Sequence, residues 1–300
     1  MGYGGALIWT AVARNLKAQA PYKKVICVCR NTWQRFLTGR PLPDAEVYRN
    51  NPDISFFIDS RIWPLIRPFF SPQRYAILDM TDPRMVYWEE DSEVRVVYKK
   101  GRHAIQIACD ALGISDAQLK PRIVFGPEEL LKVDKLLVEC GLEKGRYICL
   151  EPQANFSFSP NKEWFWDRWQ ELVDKLDKAL RPEGIRIVQI GKKGRVLGGV
   201  IDLTGRTTFR EAGVVLERAI TFIGYIGGLV HLAKSVGKKN IVLVSGFEPL
   251  ELASYPDDVN FYVPLDCSGC GLKVPCPRER ECMRKIPVGD VVRKVLEVLA

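Results

Sequence analysis

The sequence predicts an α/β protein whose parallel sheets are covered by helices on both faces, and three observations carry that prediction. Short apolar runs of strand length alternate with amphipathic helical stretches, most regularly after residue 146. The chain has 300 residues, more than one domain usually holds, so two domains of about 150 residues are expected. The proline-containing stretch LKPRIVFGPEE (119–129) is the natural linker, which sets the expected domains at 1–125 and 126–300.

The second half can be read element by element. RYICLEP (146–152) is strand-like, and NKEWFWDRWQELVDKLDKAL puts Trp169, Leu172, Val173, Leu176 and Leu180 on one helical face. Gly184 precedes IRIVQIG (185–191), a buried strand, and IDLTG (201–205) is a short extended piece. Thr208 and Glu211 have capping-box spacing before a helix with Phe209, Ala212, Leu216 and Ala219 inside. ITFIG (220–224) is a strand, Gly228 to Val236 a short helix and NIVLVSG (240–246) a strand. Pro287 opens a last helix lined by Val288, Val291, Val292, Val295 and Leu299. In the first half, 6–19 is helical and KKVICVCR (23–30) is a strand, while FFID, YAIL and RVVY are short extended runs. Helices are expected at 103–113 and from about 128 to 140.

Composition narrows the class. Hydrophobic residues at 47% and charged residues at 27% are ordinary for a globular chain, which excludes wholesale disorder. No apolar run reaches the roughly 18 residues of a membrane span, and MGYGGALIWTAVARN lacks the basic flank of a signal peptide. A soluble, cytoplasmic protein is expected. A net charge of +8 favours anionic partners such as nucleotides, but the basic residues are dispersed and no recognition motif points to nucleic acid. RIWPLIRPFF (61–70) mixes aromatics with Arg61 and Arg67 and is a candidate for peripheral membrane contact, although its two prolines favour a packed irregular loop. Cys27, Cys29, Cys109, Cys140 and Cys149 sit in apolar contexts as free thiols of a reducing compartment.

Four constellations bear on chemistry. Gly4 and Gly5 form a glycine loop opening a helix, an arrangement that turns backbone N–H groups toward an anion. Such a loop normally follows a strand, so either an internal Met is the start or a first strand is missing. Lys162, among Ser and Asn residues in SFSPNKEW, is suited to holding a phosphate as a point charge, the alternative being a solvated lysine. Gly227 and Gly228 follow a strand and open a helix carrying His231, which either donates to a phosphate or packs. Cys267, Cys270, Cys276 and Cys282, spaced C-x2-C-x5-C-x5-C in a loop at 267–282, are a tentative zinc or iron site, with a disulfide or four free thiols as the alternatives.

Taken in order, NKEWFWDRWQEL, IVQIG, IDLTGRTTFREAGVVLERA, GGLVHLAKSVG and the closing cysteine run resemble glycosyltransferase family 9, the heptosyltransferase-like group, most densely over 147–299. The resemblance implies a GT-B architecture, two Rossmann-like domains with parallel sheets facing across a cleft, the first receiving the acceptor and the second the donor. It implies inverting transfer of a heptose-like sugar from a nucleotide-sugar, ADP-sugar favoured, to a glycan, lipid-linked or protein acceptor, as in lipopolysaccharide biosynthesis. It also implies that no cofactor is required. By position, Lys162 contacts donor phosphate with Ser157 nearby, and Gly227, Gly228 and His231 form the diphosphate-binding turn. Two departures stand out. Where the family carries an aspartate proposed as base, this chain has Gly5, and where it carries an acid before the glycine pair, this chain has Ile226. Neither residue can take a proton. The alternative is therefore a nucleotide-sugar-binding or scaffold protein without turnover. Asp79 and Asp82, at a turn in the first domain, are the substitute bases considered.

Overall fold

A computed structural model describes residues 2–29, 43–99, 101–153 and 158–300. The chain divides into two compact units, Met1–Tyr87 with Arg102–Val124 and Trp88–Gly101 with Phe125–Ala300.

The first unit contains α1 (Tyr3–Gln19), β1 (Lys24–Cys29), β2 (Phe56–Asp59), β3 (Tyr75–Asp79) and α2 (Ala104–Asp110). Its strands form a parallel sheet in the order β2-β1-β3. β1 is buried at every position after Lys24, as a strand covered on both faces requires. Gly4 and Gly5 lie within the first turn of α1 and not in a loop ahead of it. The helix begins at Tyr3 because the Ala6 N–H closes onto the Gly2 carbonyl at 3.0 Å and the Tyr3 hydroxyl donates to Glu46 at 2.9 Å. The expected linker is tied down as far as this unit extends. The Gln118 N–H donates to Asn15, the Arg122 N–H donates to Thr10, and the Arg122 guanidinium pairs with Asp53 at 2.9 Å.

RIWPLIRPFF is not an irregular loop. It forms a one-turn helix, Trp63–Ile66, and a 3-10 turn, Arg67–Phe69, each with its proline in the first two positions, where no helical N–H is needed. Trp63 is buried, while Leu65 and Phe69 are 75% and 83% exposed.

The second unit begins with an antiparallel hairpin, β4 (Trp88–Ser92) and β5 (Arg95–Tyr98). There follow α3 (Pro127–Glu139), β6 (Tyr147–Leu150), α4 (Trp166–Leu180), β7 (Arg186–Gln189), β8 (Ile201–Asp202) and α5 (Phe209–Arg218). β9 (Phe222–Tyr225), α6 (Gly228–Ser235), β10 (Asn240–Val244), β11 (Val259–Tyr262) and α7 (Val288–Leu299) complete it. The six strands β6 to β11 form a parallel sheet in the order β11-β10-β9-β6-β7-β8. α4 buries Trp169, Leu172, Val173, Leu176 and Leu180, the face its periodicity predicts, in one cluster with Ile148, Ile223, Leu243, Val291 and Val295. Tyr147 has the opposite strand parity and donates to the Val215 carbonyl of α5. The α5 capping box forms as spelled, with the Glu211 N–H on the Thr208 hydroxyl and the Thr208 N–H on the Glu211 carboxylate.

The hairpin joins the second unit through the cysteine-rich segment. The Val96 N–H donates to the Gly271 carbonyl at 2.9 Å, the Lys273 N–H donates to Val94 at 2.8 Å, and Arg95 donates to the Cys270 carbonyl at 3.0 Å. Tyr98 meets Phe247 edge-on, and Trp88 meets Phe158 in the same way. Gly271 has φ +60°, and a Cβ there would lie 1.8 Å from the Val96 carbonyl oxygen. Cys27, Cys29, Cys109 and Cys149 are buried, Cys140 is half-buried, and all five are free thiols. Among the described residues no helix is long and apolar enough to cross a membrane.

Gly271→Ala therefore has to displace the hairpin as well as force a left-handed backbone. It should cost more than the roughly 1–2 kcal/mol of the backbone strain alone. Gly237, also at positive φ but facing open space, provides the control. Denaturant unfolding of Gly271→Ala and Gly237→Ala should differ by at least about 1 kcal/mol, and limited proteolysis within 88–98 should accelerate only in the first.

Candidate functional site

The order of the large sheet defines where a ligand belongs. From β6 the chain adds β7 and β8 on one side, then returns to place β9, β10 and β11 on the other. The reversal lies between β6 and β9, and in open parallel sheets ligands bind outside the carboxyl ends of the strands at that point. Here the two strands run out into Glu151–Gln153 and into Ile226–Gly228.

Gly227 is the N-cap of α6, and Gly228 is its first residue. The first-turn N–H groups have no partner within the helix and carry its positive end, a standing anion site. Gly227 is extended, so the backbone does not demand glycine. The close approach does, since a Cβ would come within 2.8 Å of the Tyr225 ring. The Tyr225 hydroxyl donates to the Gln153 carbonyl at 3.0 Å and ties the two strand ends together.

Lys162 is drawn to this point and is not a solvated lysine. Its ammonium lies 2.8 Å from Glu248 Oε1 and 3.5 Å from the carbonyl oxygen of Ile226, immediately before the helix cap. It sits over the rings of Phe247 and Phe158 at 4.9 and 5.7 Å. The side chains of Lys162 and Glu248 are only 17% and 6% exposed. The loop that carries Lys162 is held by its neighbour Asn161. The Asn161 amide donates to the carbonyls of Leu272 and Val274 at 2.8 and 2.7 Å and accepts from the Cys276 N–H at 3.0 Å. Trp164 donates to the Met283 carbonyl on the far side of the loop.

Glu151, at the end of β6, is buried, and burial pushes its carboxyl up to about 8. The Tyr225 hydroxyl pulls the other way, the charge of Glu163 adds to the rise, and Lys192 opposes it. Its Oε1 lies where a Cβ on Gly191 would meet it at 3.3 Å, so a glycine with φ +118° at the end of β7 makes room for it.

The remaining predicted residues are placed as follows. His231, one turn into α6, is buried, with its Nδ1 2.7 Å from the Tyr255 hydroxyl and its ring edge-on to that tyrosine. Ile226 is buried beside the glycine pair. Ser157 lies outside the described residues. Asp79 accepts from the backbone and hydroxyl of Thr81 at 2.9 and 2.7 Å, and Asp82 caps the 3-10 helix Pro83–Met85 and pairs with Arg84. Both act as turn acids.

Cys267, Cys270, Cys276 and Cys282 line one small cavity with Asn161 and Arg278. All four are free thiols. Burial raises the thiols of Cys270 and Cys282, with the other cysteines adding to the rise, and the Gly246 N–H donates to Cys282 Sγ at 3.3 Å. The donors are right in kind for zinc or iron. Their arrangement is not a closed ligand shell, for among the described residues no group of three or more His, Cys, Asp or Glu is positioned to hold a metal ion.

The sequence model of glycosyltransferase family 9 (heptosyltransferase) matches residues 102–270. Among solved structures, a family 9 glycosyltransferase from Veillonella parvula aligns with TM-score 0.67 at 15% identity, covering 100% of this chain and 94% of its own. The Escherichia coli ADP-heptose lipopolysaccharide heptosyltransferase II aligns with TM-score 0.61 at 13% identity, covering 100% and 96%. TibC, an iron-containing dodecameric glycosyltransferase from enterotoxigenic E. coli, aligns with TM-score 0.64 at 17% identity, covering 100% and 75%. No curated protein sequence matches significantly. The fold is that of the GT-B glycosyltransferases of this family.

Glu151 gives the site a pH signature. The folded protein holds this proton more tightly than the unfolded chain does. Its contribution to stability is therefore greatest at low pH, declines as pH rises from about 4.5, and levels off above about 8. Melting temperatures across pH 5 to 9 should show this decline in the wild type and a flatter profile in Glu151→Gln.

Proposed function

This chain belongs to glycosyltransferase family 9, and from that premise we propose that it moves a sugar from a nucleotide-sugar to a hydroxyl of a glycan, lipid-linked or protein acceptor. The observation that carries the reading is the position of Lys162 against the Ile226 carbonyl at the sheet's reversal point, beside the first turn of α6. An ADP-sugar, ADP-heptose foremost, is the favoured donor, in keeping with the E. coli heptosyltransferase II and with E. coli WaaC, whose structures carry ADP and ADP-2-deoxy-2-fluoro heptose.

The chemistry follows from the charges. An acceptor oxygen attacks the anomeric carbon, the bond to the donor phosphate breaks, and negative charge grows on the departing diphosphate. Lys162 and the N–H groups from Gly228 onward are fixed where that charge develops, in a setting of low dielectric, and need little reorganisation to stabilise it. Gly227 and Gly228 let the diphosphate approach the backbone, and His231 braces the helix through Tyr255. The acceptor proton needs a base, and Gly5 and Ile226 supply none. That loss favours a second reading, a protein that binds nucleotide-sugar without turning it over.

The cysteine segment we read as a structural metal site, on two grounds: four thiols line one cavity, and one structural neighbour contains iron. Cys267, Cys270, Cys276 and Cys282 would hold zinc or iron, closing around it and cross-linking the segment that braces the Lys162 loop. The transfer itself needs nothing from the ion. Metal analysis of protein purified without chelator should find about one ion per chain, lost in Cys270→Ser. Metal-free protein with an unchanged melting temperature would refute the site.

Calorimetric titration with ADP, GDP, UDP and ADP-heptose tests the donor assignment. ADP and ADP-heptose should bind selectively, and Lys162→Ala, checked for folding by its melt, should lose at least about tenfold in affinity. Absence of nucleotide binding below millimolar concentration would sink it. Release of ADP from ADP-heptose in the presence of acceptor then separates the enzyme from the non-catalytic reading.

A further inference from the structure

Glu248 has no part in the predicted site, yet its carboxylate contacts Lys162, the residue proposed to hold the donor phosphate. It follows β10 in the loop before the short helix Leu250–Ala253, and it is almost wholly buried. Its Oε1 accepts from Lys162 at 2.8 Å, and its buried Oε2 has no hydrogen-bond partner among the described residues. A buried carboxylate oxygen left without a donor is costly, and native proteins rarely keep one without use. The same ammonium that Glu248 holds reaches the Ile226 carbonyl, so the orphaned oxygen is one side chain away from the cap of α6.

The chemistry of that oxygen selects its partner. A diphosphate near neutral pH has almost no protons to give and is repelled by a carboxylate, while a hydroxyl donates readily. We propose that Glu248 reads the donor, accepting a hydrogen bond from a hydroxyl of the sugar or the ribose while Lys162 takes the phosphate. This inference rests on the donor-site reading above and adds to it a residue that sets specificity. Glu248 attracts the hydroxyl of the correct ligand and penalises a bare anion, so the pair discriminates in both directions. The walls of Phe158 and Phe247 keep the charges in a poorly solvated space, where each interaction is stronger than in water.

The test compares inorganic pyrophosphate, ADP and ADP-heptose by calorimetry on the full chain, wild type against Glu248→Gln. In the variant, pyrophosphate should bind more tightly, and the advantage of ADP-heptose over pyrophosphate should shrink by about tenfold. If ADP loses its advantage over pyrophosphate along with ADP-heptose, the hydroxyl belongs to the ribose. If ADP-heptose alone does, it belongs to the sugar. An unchanged ratio among the three ligands overturns the proposal while leaving the donor site standing, provided that Lys162→Ala still weakens ADP binding by about tenfold or more. If neither nucleotide binds the wild type, the donor reading itself fails and this inference falls with it. Should Glu248→Gln not fold, Glu248→Asp carries the test. Its shorter carboxylate keeps the charge but withdraws from the hydroxyl, so ADP-heptose should weaken with pyrophosphate unchanged, and equal retention of both overturns the proposal.

Discussion

The loop bearing Lys162 has no regular structure of its own, and the hydrogen bonds of Asn161 determine where it goes. This amide uses both of its donor hydrogens on the carbonyls of Leu272 and Val274 and its oxygen on the Cys276 N–H. Ser159 adds a further bond to Leu272, and its hydroxyl also receives the Asn161 N–H. Each of these bonds contributes about 1 kcal/mol, but their geometric effect is larger, because a buried amide with all its valences used has one position. The cysteine-rich segment receiving them is held in turn by the β4–β5 hairpin at Gly271 and by the Gly246 N–H on Cys282. A chain of hydrogen bonds thus runs from the hairpin through the cysteine-rich segment to the loop of Lys162. The loop is the end of that chain and inherits its position from it.

Two carboxylates at the reversal point resolve burial differently. Glu151 is buried, and its loss of solvent outweighs the opposing pull of Tyr225 and Lys192, so its carboxyl is raised to about 8. Glu248 lies in an ion pair with Lys162 at 2.8 Å. A buried ion pair seldom adds much net stability, because desolvating both groups offsets their attraction. Keeping one beside a helix N-terminus is better explained by what it orders. It holds an ammonium, otherwise free to rotate on four methylenes, at the end of a strand where an anion can reach it.

Local patterns in the sequence were legible, and contacts between distant segments were not. The inner face of α4 and the capping box of α5 depend on residues three or four apart, and the structure has them as written. The parallel sheet of the second unit follows from runs such as NIVLVSG, buried at every strand position. Glu248 and Asn161, by contrast, acquire their roles from residues 86 and more than 110 positions away. No periodicity marks them. The hairpin at 88–98 carries strand-like residues in RVVY, but its attachment to the second unit depends on Gly271, and nothing local distinguishes that glycine from the others. The helix start at Tyr3 turned on a side-chain contact with Glu46, which moved Gly4 and Gly5 out of the loop in which their spacing had put them.

The two replaced carboxylates affect binding and turnover unequally. Holding a diphosphate requires positive charge and N–H groups, and under the donor proposal Lys162 and the first turn of α6 supply both without either acid. Removing an acid beside a diphosphate even lowers the repulsion it meets. Deprotonating an acceptor hydroxyl has no such tolerance, since it needs a titratable atom within hydrogen-bond reach of one proton. Glu248 already has Lys162 on its Oε1 at 2.8 Å, and its other oxygen is the one proposed to receive a hydroxyl of the donor. Glu151 is buried, and burial raises its carboxyl to about 8, so at neutral pH it is largely protonated. On the donor reading, the second unit holds the groups that a diphosphate requires, and turnover requires a titratable base that neither Gly5 nor Ile226 supplies.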